Sequence, residues 1–93
     1  IEIPRASTVL LGRDPDHSPV AELFAPHDNI SRRHASVGVE KDGRAWVQDE
    51  NSMNGTFVNN KKAPPTHKTP LLHGDQLRMG SNVTAQVELT TPT

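Results

Sequence analysis

The sequence predicts an all-β fold, an antiparallel sandwich, and three observations carry that prediction. Apolar and polar residues alternate with period two over 35–39 and 83–89, the signature of half-buried strands. Turn formers such as Asp42-Gly43, Asn54-Gly55 and His73-Gly74-Asp75 recur at short spacing between the apolar runs, as they do in sandwiches. No stretch carries a sustained helical period, and eight prolines punctuate the chain.

Taken in order, Thr8–Leu11 is an apolar, β-branched run that enters a turn at Gly12-Arg13. Residues 14–30 are mostly loop, because Asp14-Pro15-Asp16 is turn chemistry and Pro19 and Pro26 oppose a helix of any length. Within it, Val20, Leu23 and Phe24 fit either a short strand or one helical turn. Ala35, Val37 and Val39 then share one strand face, and Arg44–Asp49 returns after Lys41-Asp42-Gly43. A two-residue Asp42-Gly43 turn would set Val39 opposite Trp46. A three-residue loop with Gly43 left-handed would set Val39 opposite Ala45 and Val37 opposite Val47, and it is favoured because it keeps small apolar residues together. Asn54-Gly55 leads into a strand over Thr56–Asn59, and Lys61–Pro70 reads as a polar connector. Leu71-Leu72, the His73-Gly74-Asp75 turn and Leu77–Met79 follow. The last strand sets Val83, Ala85, Val87 and Leu89 against polar neighbours, with Gly80-Ser81-Asn82 as a three-residue loop before it.

Ninety-three residues make one domain, with its core expected over about 8–89. Opening on Ile1 rather than Met, the chain is expected to be a piece of a longer protein. With 10 basic and 11 acidic side chains the formal charge is −1, so no global field draws it to nucleic acid or an acidic membrane. No apolar run approaches the ~18 residues of a membrane span. The absence of cysteine removes disulfides, thiolate metal sites and thiol nucleophiles.

The densest polar chemistry is Ser31-Arg32-Arg33-His34. Ser31 and His34, with Asp28 nearby, invite a catalytic triad, but no nucleophile elbow or oxyanion hole accompanies them and all three sit in one short loop. The five histidines (His17, His27, His34, His67, His73) show no ligand-type spacing. Three aromatics and a slightly negative charge also speak against a nucleic-acid stripe around Arg32-Arg33. Asn29-Ile30-Ser31, Asn54-Gly55-Thr56 and Asn82-Val83-Thr84 match the glycosylation acceptor pattern, which is short enough to arise by coincidence. No enzyme, metal or cofactor is expected.

Four motifs in order rise above chance: Gly12-Arg13, Ser31-Arg32-Arg33-His34-Ala35, Asn51 to Asn59 around Asn54-Gly55-Thr56, and Leu72 to Gly80 around Gly74-Asp75. Together, from Thr8 to about Leu89, they resemble the forkhead-associated (FHA) domain family. The resemblance implies two packed β-sheets with functional loops at one end that bind a phosphothreonine peptide. It implies that Arg13, Ser31 and Arg32 contact the phosphate and that Asn54 holds the peptide backbone. Gly12, His34 and Gly55 become structural residues, His34 bracing the loop and Gly55 letting the turn close. Residues reading the peptide beyond the phosphothreonine are expected at His27–Ile30, notably Asn29, at Met53, where the family commonly has a short polar residue, and at Asn59-Asn60. Arg33 is expected to be a rim charge.

Those roles suit the ligand. Phosphothreonine carries about −1.5 to −2 charges and three acceptor oxygens, so it needs converging donors, positive charge and little carboxylate nearby. The expected function is phosphopeptide recognition in Ser/Thr-kinase signalling. The domain is expected to be monomeric in isolation and intracellular, in cytoplasm or nucleus according to its host protein. The alternative is the same sandwich acting as a scaffold for phosphorylation-independent association with a partner or with itself.

Overall fold

The computed structural model describes residues 3–89. Two four-stranded antiparallel sheets face each other. The first holds β1 (Ser7–Leu11), β2 (Ala35–Val39), β3 (Ala45–Asp49) and β6 (Lys68–Leu71) in that order. The second runs β5 (Lys61–Lys62), β4 (Thr56–Val58), β7 (Gln76–Met79) and β8 (Val83–Gln86). The all-β sandwich expected from the alternation is therefore what forms.

Register follows the hydrophobic pattern. Val39 lies opposite Ala45 and Val37 opposite Val47. The loop closes by Glu40 N–H to Arg44 O at 2.8 Å and Gly43 N–H to Glu40 O at 2.9 Å, with Gly43 at φ +91°. This is the three-residue loop, and it turns Val37, Ala45 and Val47 inward. In the second sheet Met79 faces Val83 and Leu77 faces Ala85, so Gly80-Ser81-Asn82 is the connection. Leu11, Ile30, Ala35, Leu71, Leu77 and Met79 complete the centre of the core.

The segment around Val20–Phe24 becomes a single helical turn, α1 (Ala21–Phe24). Ser18 holds its start, donating its hydroxyl to Leu10 O at 2.8 Å, and Phe24 is driven into the core. Two expectations need correction: the last strand, expected to reach Leu89, ends at Gln86, and the Lys61–Pro70 connector contains two strands. Asn59 and Asn60, both left-handed at φ +51° and +67°, make a two-residue hairpin turn that lays β5 beside β4, so β4 ends at Val58 rather than Asn59. β6 then pairs with β3. Both are edge strands, where lysines and a proline such as Pro70 are tolerated because one side of the ladder is unpaired.

The ends of β1 and β3 and the starts of β2 and β4 gather at one end of the sandwich. The 80–82 loop joins them through Gly80 N–H to Gly55 O at 2.9 Å.

Candidate functional site

The site is two loops pinned together by a histidine. The first crosses from β1 through Gly12-Arg13-Asp14 and returns through Ile30–His34. The two passes run side by side, with Arg13 N–H to Ser31 O at 3.3 Å and Asp14 N–H to Arg32 O at 3.0 Å. Gly12 permits this approach: a Cβ there would run into the Arg32 carbonyl oxygen. The second loop, 50–55, joins the two sheets.

His34 is fully buried between the loops. Ser31 N–H donates to its Nδ1 at 3.0 Å, and its Nε2–H donates to Gly55 O at 2.8 Å. That pair of bonds requires the neutral ring protonated on Nε2. Burial holds the imidazole pKa below its ordinary value, overcoming the Gly55 bond and the nearby Asp49 charge, which push it up. His34 thereby fixes Ser31 relative to Gly55, and Met53 N–H adds a second tie by donating to Ser31 Oγ at 3.1 Å.

The 50–55 loop is shaped by Asp49, which is 1% exposed. Its carboxylate accepts from Ser52 N–H at 3.1 Å, from the Ser52 hydroxyl and from the Thr56 hydroxyl at 2.7 Å. Ser52 Oγ in turn accepts from Gly55 N–H at 3.0 Å, closing the turn, in which Gly55 is left-handed at φ +85°. The exposed Asn54 donates Nδ2–H to Asn29 O at 2.8 Å. The amide of Asn29 points the other way, to Ser81 Oγ at 3.1 Å and Asn82 Oδ1 at 2.9 Å.

The basic half centres on Asp14, a carboxylate that sequence reasoning assigned only to turn chemistry. Asp14 accepts from Asp16 N–H at 3.0 Å, His17 Nδ1 at 2.8 Å and Arg32 at 3.2 Å, with Arg33 Nε 3.7 Å away. The His17 hydrogen bond foremost, then the Asp16 N–H and the charges of His17 and Arg32, hold its carboxyl below the usual carboxylate range despite burial, which pushes it up. With Nδ1–H given to Asp14, His17 Nε2 accepts from Arg33 at 2.8 Å. Arg32 and Arg33 thus both lean towards one carboxylate, against the expectation of little carboxylate at the site. Arg13 is held differently, its Nε donating to Ile30 O at 2.7 Å.

The structure therefore gathers Gly12, Arg13, Asn29, Ser31, Arg32, His34, Asn54 and Gly55 at one end of the sandwich, with Met53 beside them at 90% exposure. Asp14, Asp49 and Ser52 were not anticipated. Ser52, three residues before Gly55, carried an ST-turn signal; the two aspartates carried none. Among the described residues no group of three or more His, Asp or Glu side chains is placed to hold a metal ion.

Comparison with known proteins decides the family. A family model for the FHA domain matches residues 9–80. The chain belongs to the FHA domain family. This FHA domain is 36% identical over 73 residues to the glycogen accumulation regulator GarA of Mycolicibacterium smegmatis, covering 78% of the chain and 41% of GarA. It is 33% identical over 84 residues to protein FraH of Nostoc sp., covering 86% of the chain and 29% of FraH. The chain thus spans less than half the length of these curated relatives. A solved FHA domain described under phosphothreonine-dependent FHA domain interactions superposes with TM-score 0.64 at 31% identity, covering 83% of this chain and 72% of that one.

Proposed function

We propose that this FHA domain binds phosphothreonine in partner proteins, with Arg13, Ser31 and Arg32 as the phosphate donors and Asn54 as the backbone clamp. What supports this reading is that two loops at one end of the sandwich carry these four residues, with His34 fixing the spacing between the loops. Ser31 Oγ already accepts from Met53 N–H, which leaves its hydroxyl proton to donate to a phosphate oxygen. Arg13 uses only Nε internally, which leaves its terminal amino groups to donate to phosphate oxygens. Arg32 gives Asp14 a single contact and keeps the rest of its fork. Asn54 uses one amide hydrogen; its carbonyl oxygen accepts from a peptide N–H.

Charge-assisted hydrogen bonds contribute roughly 1.5–3 kcal/mol each, so a few of them, less the ordering cost, reach the ~−8 kcal/mol of a micromolar complex. Donors already seated on a stiff sandwich lower that cost. The domain reads a modification and performs no reaction. It works inside the cell, downstream of a Ser/Thr kinase, as a monomer in isolation, without nucleic acid, membrane or cofactor.

The test is a titration of one peptide in three forms: phosphothreonine, threonine and glutamate. A glutamate offers one charge and two oxygens, so only the phosphothreonine form binds, and Arg13→Ala with Arg32→Ala abolishes it. Equal binding of all three forms would overturn the proposal in favour of a phosphorylation-independent scaffold.

A further inference from the structure

The outer face of the second sheet carries a row of side chains that the phosphate site does not use. Strand pairing sets Phe57 between Lys62 and Arg78, and Arg78 beside Thr84, across all four strands. Cross-strand partners share a face. The inward face belongs to Thr56, Leu77 and Met79, so this row points out. The Arg78 guanidinium lies 4.0 Å over the Phe57 ring and is held there by donating to Gly80 O at 2.7 Å. Lys62 is exposed.

Four cations near the first sheet have carboxylate partners: Arg44 with Asp42, Lys68 with Glu40, and Arg32 and Arg33 with Asp14. Among the described residues Lys62 and Arg78 have none within 4.0 Å. Two unpaired cations flanking an aromatic ring, in a chain of net charge −1, are a local excess of positive potential.

The row is continuous with the phosphate site. A Cβ on Gly55 would lie 3.2 Å from the Phe57 ring and 3.3 Å from the Lys62 stem, so both rest against the backbone next to Asn54. Phe57 follows Asn54 by three residues, about 10 Å of extended chain. A peptide held by Asn54 that continued over Gly55 would meet the Phe57 ring and the Lys62 stem, with the Arg78 guanidinium stacked on that ring.

We infer that this face binds an acidic stretch of the same phosphorylated partner, its carboxylates meeting Lys62 and Arg78 while the phosphothreonine sits in the loops. The inference rests on the phosphothreonine reading. A nucleic acid is the poorer fit, because the row offers one ring and no groove of cations to follow a phosphate backbone.

The experiment measures affinity for a phosphothreonine peptide with neutral flanks and for two versions carrying four glutamates on the N-terminal or the C-terminal side. One of the acidic versions binds about fivefold tighter, the scale of two exposed charge pairs. The gain shrinks at high salt and disappears in Lys62→Glu and in Arg78→Gln. Lys62→Glu, at an exposed edge position, guards against loss of folding in Arg78→Gln, and its affinity for the neutral-flank peptide reports that its fold is intact. No gain from either acidic flank, or a gain that survives both variants, overturns the inference and leaves the phosphate site standing. Failure of the neutral-flank peptide to bind in its phosphorylated form would instead remove the phosphothreonine reading, and the acidic face with it.

Discussion

Asp14 and Asp49 are buried to similar degrees, at 6% and 1% exposure, and sit on opposite sides of the same site with opposite company. Asp14 is surrounded by cationic and titratable side chains, Arg32, Arg33 and His17. Asp49 accepts from neutral donors only, the backbone and hydroxyl of Ser52 and the hydroxyl of Thr56. The first carboxylate gathers exposed arginines that an arriving phosphate must compete for. The second builds the turn that presents Asn54, and has no role that a ligand would contest. One half of the site is held by contacts to exposed arginines and is adjustable, the other by neutral donors closed around a buried carboxylate.

The comparison breaks most visibly at Asp49. Asp49→Ala leaves the buried Thr56 hydroxyl and the Ser52 pair without their acceptor, and is expected to lower stability by about 3 kcal/mol or more. Urea denaturation checks this; a loss below about 1 kcal/mol would show that the turn stands without its carboxylate. Next comes Arg32→Ala, expected to weaken phosphothreonine-peptide binding by roughly 30-fold, about 2 kcal/mol. Arg33→Ala, by contrast, changes it less than about threefold, since Arg33 lies on His17. Calorimetric titration of both variants decides, and the reverse order would move the phosphate to the Arg33 side.

A smaller effect comes from pH. His34 has a folded pKa below its ordinary 6.5, so the unfolded chain takes up a proton first as pH falls. Its contribution to stability is complete above about 6.5 and is lost progressively below it, towards the folded value. Thermal melts between pH 7 and 5 should decline in the wild type, while His34→Gln, less stable throughout, lacks this part of the slope. Asp14, Asp42 and Asp75 also have lowered pKa values, so a further loss begins as pH drops through the ordinary carboxylate value. Asp14→Asn is expected to do least. It lowers the melting midpoint by less than Asp49→Ala and tightens the phosphopeptide about twofold by removing a competing charge. Weaker binding would mean that Asp14 aims Arg32 rather than rivals the ligand.

Legibility followed the same division. Strands with one buried face could be read to the residue in register, as Val37 opposite Val47 and Met79 opposite Val83 show, because period two leaves a one-residue slip nowhere to hide. β5 and β6 could not, since Lys61, Lys62, Lys68 and Pro70 bury little and alternate in nothing. Only Asn59-Asn60, a pair that tolerates left-handed backbone, marked the hairpin. Within the site, Gly12, Ser31, His34 and Asn54 came from motif order. Asp14 escaped because an aspartate in a polar turn looks solvated, and Asp49 because a carboxylate closing β3 on the buried face of Ala45 and Val47 runs against the rule that such positions are apolar. Asp14 bonds His17 and Asp16 close by as well as Arg32 18 positions away, and Asp49 bonds Ser52 and Thr56; of these only the Arg32 contact lies beyond a local reading.

Trp46 gives the domain an optical property. It is the one tryptophan, in a chain without tyrosine, and it lies across Gly38 on the outside of the first sheet with Lys68 Nζ 4.4 Å from its ring. Asp49 lies three positions further along β3, about 10 Å of strand. Its emission will follow the melting of the first sheet and stay flat as the phosphate loops fill, so the domain reports its own unfolding by fluorescence, whereas occupancy has to be read from a dye on the peptide.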